Sequence, residues 1–149
     1  VADPLLTQIM DNMVTAIGQI SPTNGYERTV RTTSRMSLMP AQPQYDAVFM
    51  AAVSEEKTDL AVQVKESKAT ISVLGIASDA DDTVDAVHKL AADITKALHV
   101  DPTRGGLALD TRVVGIVYDI SEEVAPLGAC NLEVEVIYRH RLGDPYTAV

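Results

Sequence analysis

The sequence predicts an α+β domain, a mainly antiparallel sheet of about four to six strands with two helices packed on it. Three observations carry that prediction. Between Ser78 and His99, residues Val84, Val87, Ala91, Ile94 and Leu98 recur at helical spacing and fall on one face. Leu6, Ile9, Met10, Met13, Ile17 and Ile20 mark a second stripe of the same period. Ala129 to Arg139 alternates instead, with Cys130, Leu132, Val134, Val136 and Tyr138 on one side and Asn131, Glu133, Glu135 and Arg139 on the other, broken only by Ile137.

In chain order, Asp3-Pro4 supplies an N-cap and a proline at the first helical position, and Ser21-Pro22 ends that run. After the turn at Thr23-Asn24-Gly25, Arg28 to Met36 alternates as a strand with a basic face carrying Arg31 and Arg35. Pro40 and Pro43 bar regular structure across Leu38 to Tyr45 and predict an exposed excursion. Tyr45 to Val53, apolar on both faces, reads as a central strand. Ser54 to Asp59 reads as a charged turn with Glu55 and Glu56, and Ala61–Val64 and Ala69–Gly75 as further strands. In the second helix Asp79, Asp81, Asp82 and Asp85 crowd the first turns and Lys96 and His99 the last, as the helix dipole favours, and Pro102 closes it. Thr103 to Gly106 is a glycine turn. Arg112–Ile120 and Ala129–Arg139 follow as antiparallel neighbours joined through Ser121–Gly128, and Leu142–Val149 is an extension without periodicity.

With 149 residues the chain fits one domain, burying roughly two thirds of the surface its unfolded form exposes. No apolar run is long enough to span a bilayer, so the expectation is a soluble protein without a membrane partner. Val1-Ala2-Asp3-Pro4 has neither the basic nor the apolar region of a secretory signal. The single cysteine, Cys130, makes no internal disulfide and points to a reducing compartment. A net charge of −9 with no basic patch argues against nucleic-acid binding.

Motifs of catalysis are missing. Asp79-Ala80-Asp81-Asp82 looks like the start of a calcium loop, but Val84 and Leu90 stand where the loop needs glycine and glutamate. His88, His99 and His140 are far apart, and no zinc spacing, nucleophile elbow, P-loop or dinucleotide fingerprint occurs. The expectation is no enzyme, no metal and no cofactor. Arg139-His140-Arg141 is a basic cluster suited to carboxylates of an adjacent subunit. With Arg31 and Arg35 as its counterpart, and Glu55-Glu56 and Glu122-Glu123 as acidic ones, copies of the chain could pair head to tail and close into a ring.

At Asp101-Pro102-Thr103-Arg104-Gly105-Gly106-Leu107-Ala108-Leu109-Asp110-Thr111-Arg112, and again at Val136-Ile137-Tyr138-Arg139 with Arg141-Leu142-Gly143-Asp144-Pro145-Tyr146, the chain resembles the tail terminator and tail-completion proteins of long-tailed bacteriophages. That resemblance implies a virion protein of the neck, made in the host cytoplasm. It would form a homo-oligomeric, six-membered ring that caps the tail tube protein, ends polymerisation and meets the head connector or stopper proteins. DNA would pass its channel unbound. The excursion with Pro40 and Pro43 and the tail with Asp144 and Tyr146 are where contacts with tube or connector are expected. A head-completion or stopper role in the same neck is the nearest alternative, and a small-molecule-binding or hydrolytic α+β domain is the alternative from another class.

Overall fold

The computed structural model describes residues 3–35, 46–78, 82–120 and 127–149. Helix α1 spans Leu5–Ile17 and buries Leu5, Ile9, Met10, Met13 and Ile17, so the stripe begins at Leu5, with Leu6 only partly covered. Pro4, not Asp3, is the cap residue, and no side chain caps this end. Helix α2 spans Thr83–Val100. The Asp82 carboxylate caps it by accepting the Asp85 N–H at 3.0 Å. The buried face of α2 is Ala86, Val87, Leu90, Ala91, Asp93, Ile94, Ala97 and Leu98. Val84, expected in the stripe, is 48% exposed. Asp79 and Asp81 lie outside the described residues.

Polar groups fix α2 at both ends of its path. Asp93 is buried because its carboxylate accepts the backbone N–H groups of Glu27 at 3.1 Å and Arg28 at 2.8 Å. Lys96 donates to the Gly25 carbonyl at 2.7 Å and stands over the Tyr26 ring. Just beyond the helix Arg104, fully buried at φ 52°, turns back and donates to the carbonyls of Leu98 and Asp101. A guanidinium at the negative end of the helix dipole is well placed to satisfy orphan carbonyls. Asp101 organises the turn around it, accepting from the Thr103 hydroxyl at 2.6 Å and from the amides of Gly105 at 2.8 Å and Thr103 at 3.0 Å. Those bonds, the hydroxyl's first, hold its carboxyl below the usual carboxylate range.

The strands are β1 (Val30–Ser34), β2 (Asp46–Asp59), β3 (Val64–Ser78), β4 (Asp110–Ile120), β5 (Leu127–Arg141) and β6 (Asp144–Ala148). Their order is β1-β2-β3-β5-β4, with β6 also paired to β5. Every pairing is antiparallel except β1 with β2. Both helices lie on one face, and the main core between them and the sheet takes in Ile71, Val73, Leu132, Val134 and Val136. The alternation expected for β5 is therefore present, and β4 and β5 are antiparallel neighbours. Arg28 and Asp46 make a bidentate pair at 2.7 Å that ties the entry of β1 to that of β2.

Three expectations need correction. Ser54–Asp59 is no turn; β2 continues through it, with Glu55 opposite Ala69 and Asp59 opposite Lys65. Its charges belong to a strand whose outer half is exposed on both faces, a position that favours charged residues. The turn is Leu60–Gln63, with Gln63 at φ 68°, so Ala61–Val64 forms no separate strand. The tail is not a loose extension either. Gly143 at φ 83° reverses the chain, and β6 returns along β5.

Two glycines let α2 approach the sheet. A Cβ on Gly128 would stand 2.3 Å from Val87 Cγ2 and 3.0 Å from Thr83 Cγ2; one on Gly75 would meet Cys130 Sγ at 2.9 Å. Gly128→Ala is expected to cost about 1–3 kcal/mol through overpacking, whereas Gly115→Ala, whose Cβ meets nothing nearer than Glu133 at 4.0 Å, stays near wild type in chemical denaturation. Cys130 is buried beside Gly75, and burial pushes its thiol up to about 11. A disulfide reagent at neutral pH should therefore leave the folded protein unmodified and label it fully in denaturant.

Candidate interaction surface

The face of the sheet opposite the helices divides into an apolar end and a charged end. Ala47, Phe49 and Ile76 form a small buried cluster there with Leu74 against it. Next to it runs a groove of about 420 Å³ lined by Val53, Thr70, Ser72, Gly115, Val117 and Asn131, among others. Val53 is 65% and Val117 70% exposed. Both β2 and β4 shift register here, between Ala52 and Ser54 and between Val113 and Gly115, as a β-bulge does. Toward the other end, Lys68 lies between Glu56 at 3.7 Å and Glu135 at 3.8 Å, Arg139 pairs with Glu66 at 3.0 Å, and Arg112 with Asp110 at 2.7 Å.

On the helix side of the same strands, beyond the main stripe of the core, sits a polar network that the sequence did not disclose. Lys57 donates to Ser67 Oγ at 2.8 Å and lies 3.2 Å from His140 Nε2. His140 Nδ1 is 2.7 Å from the Arg141 carbonyl, which can only accept, so Nδ1 carries the proton and Nε2 accepts from Lys57. Tyr138 donates to Glu55. Burial first, and then the Glu55 carboxylate, push the pKa of the Tyr138 phenol up. Ser67, Tyr138 and His140 are all buried. Together these bonds hold the outer half of β2 onto β3 and β5.

The expected site residues are dispersed by this arrangement. Arg139, His140 and Arg141 do not form one cluster, because strand alternation turns His140 inward while Arg139 pairs with Glu66 and Arg141 stays exposed. Glu55 and Glu56 likewise part, one toward Tyr138 and the other toward Lys68. Arg31 is exposed on β1, and Arg35 pairs with Asp11 of α1 at 2.7 Å. Asp144 and Tyr146 lie on β6, where Asp144 accepts the Tyr146 N–H at 3.2 Å and the Tyr146 carbonyl accepts from Gln8. Pro40, Pro43, Glu122 and Glu123 lie outside the described residues. Tyr138, Lys57, Ser67, Val53 and Val117 were missed. The signal for the network was the period of two that already placed Tyr138 inside and so required His140 there as well.

Among the described residues no three His, Cys, Asp or Glu side chains converge as metal ligands, and no helix is long and apolar enough to cross a membrane. Compared with models of known protein families and with curated protein sequences, the chain matches none.

Tyr138→Phe removes the donor to Glu55 and is expected to cost about 0.5–1.5 kcal/mol, with the loss of amide-exchange protection concentrated in Ser54–Asp59 rather than in α2.

Proposed function

We propose that the chain is a structural subunit of the head–tail junction of a long-tailed bacteriophage, closing as a six-membered ring on the finished tail tube, ending its polymerisation and offering a surface to the head connector. The observation that carries this reading joins sequence and structure. The stretches that resemble tail terminators, Asp101–Arg112 and Val136–Arg139 with Arg141–Tyr146, are separate in the chain but adjoin in the fold. The Leu109 N–H donates to the Ile137 carbonyl at 2.7 Å, and Asp110 and Thr111 lie opposite Ile137 and Val136. Within them Arg104 caps α2, Gly105 and Gly106 at φ 70° and 88° turn the chain into β4, and Gly143 turns it into β6. The stretches meet because β4 and β5, which carry them, are antiparallel neighbours.

Two further features support the reading. A sheet covered by helices on one side leaves an exposed face with apolar and paired charged zones, the composition of a contact between subunits. An acidic chain lining a channel would let DNA slide through without sticking. The ring would act by complementary shape and charge, as a virion component assembled in the host cytoplasm, and not by catalysis.

Deleting the gene from the phage that carries it, and imaging the lysate by negative stain, tests this. Overlong or irregular tubes beside filled, unattached heads are expected. Tails of normal length beside heads that fail to join would move the protein to the connector side of the neck, and normal virions would overturn the structural role.

A further inference from the structure

The strand order ends at β4, whose inner side pairs with β5 and whose outer side no strand covers among the described residues. Edges left open in this way are commonly guarded by charge or proline. Val113-Val114-Gly115-Ile116-Val117-Tyr118 carries neither, and Val114, Val117 and Tyr118 are exposed. Arg112 and Asp119, also exposed, bracket this run with opposite charges. Arg112 stands opposite Glu135 and Asp119 opposite Ala129, and the alternation of β5 puts both partners on the face away from the helices, since Cys130, Leu132, Val134 and Val136 are in the core. Asp119 follows Arg112 by an odd number of residues, so an unbroken strand would turn the two to opposite faces. The bulge brings them to the same face, because β4 advances by two residues from Val113 to Gly115 while β5 advances by one, from Val134 to Glu133.

We propose that the outer edge of β4 is an interface with a second copy of this chain, the two β4 strands pairing antiparallel about a two-fold axis that passes perpendicular to the sheet at Ile116. Such an axis reverses strand direction and keeps each face on its own side. With the bulge counted as one place, Ile116 meets Ile116, Val117 meets the bulge at Val114 and Gly115, Tyr118 meets Val113, and Asp119 meets Arg112. Each pair shares a face. Val113 and Ile116 pack against the core on the helix side, where Tyr118 meets the His88 ring of α2, and the remaining pairs lie on the open face. A bulge blunts an edge against a straight partner. Here each bulge receives Val117 of the other copy, and Gly115 leaves room for it, since even a Cβ there meets nothing nearer than Glu133 at 4.0 Å. The charges are free to meet as well. Asp119 has no ion pair among the described residues, and Arg112 holds Asp110 through its Nε alone, at 2.7 Å, which leaves its two terminal amino groups for a second carboxylate. Opposite charges at both ends of the paired run fix its register, because a slip of two places loses both contacts. Only Arg112–Asp119 is needed for the pairing. The contact closes after two copies, so it is distinct from a six-membered ring and stands whether or not the chain caps a tail tube.

Sedimentation equilibrium of the purified full chain over a range of concentrations tests the proposal. Wild type is expected to reach twice the monomer mass. Val117→Lys is expected to raise the dissociation constant at least about tenfold, since the axis removes the contact twice, with an unchanged circular dichroism spectrum. Val62→Lys, at the most exposed valine of the Leu60–Gln63 turn, should leave association as it is. Asp119→Arg and Arg112→Asp each set like charges opposite one another and are expected to be monomeric alone. Mixing these two variants should restore the doubled mass, because Arg then meets Asp at both contacts. A monomeric wild type overturns the proposal, and so does an assembly of any size whose mass is unchanged by Val117→Lys and by both charge reversals. If Arg112→Asp unfolds the chain, Arg112→Gln takes its place, expected to weaken association several-fold; an unchanged dissociation constant again overturns the edge contact.

Discussion

The approach of α2 to β3 and β5 is set at Gly75 and Gly128, where any side chain would stand inside the space that Val87, Leu90 and Ile94 occupy. Close approach lets one helix cover the middle of the sheet, with Leu90, Ile94 and Leu98 fully buried. It also brings the buried Asp93 to the amides of Glu27 and Arg28, so that the loop entering β1 is positioned by the helix and not by β1's own short pairing. Arg104 completes the hold from the other end. Burial lowers its pKa against the attraction of Asp101, yet a guanidinium keeps its charge there, and that charge is what answers the exposed carbonyls of the last turn.

How much of this could be read from the residues follows from which patterns have a local cause. The stripes of α1 and α2 and the alternation of β5 arise from burial on one side, and periodicity records that directly. In the outer half of β2 the inward face carries charged residues as well as the outer, so Ser54–Asp59 shows no apolar period and its charges imitate a turn. Val84 shares the α2 spacing but is 48% exposed, and nothing local separates it from Val87. Gly75 and Gly128 sit inside strands without interrupting them, because their purpose is a contact with α2 and not a turn of the backbone. The parallel pairing of β1 with β2 and the return of β6 depend on which strand is nearest in space, which spacing along one chain does not encode.

The candidate surface was legible in its parts and misread in its grouping. Glu55, Glu56, Arg139, His140 and Arg141 all lie at the charged end of the sheet, although the first two were expected in a turn. Adjacent residues on a strand point to opposite sides, however, so runs such as Glu55-Glu56 and Arg139-His140-Arg141 are divided between the open face and the Lys57 network. A charged run in a loop concentrates charge. In a strand it distributes it, and the inward members must be satisfied by hydrogen bonds, as Glu55 and His140 are by Tyr138 and Lys57.

That division bears on how the exposed face can bind anything. Its ion pairs, Lys68 with Glu56 and Glu135 and Arg139 with Glu66, are partly exposed and already matched within the chain. Exposed pairs of this kind are worth about 0–1 kcal/mol each, so exchanging them for a partner's charges gains little affinity. The apolar groove at the other end is different, because Val53 and Val117 gain on leaving water in proportion to the area they bury. A partner seated across the whole face would draw its affinity from the valine end and its register from the charged end.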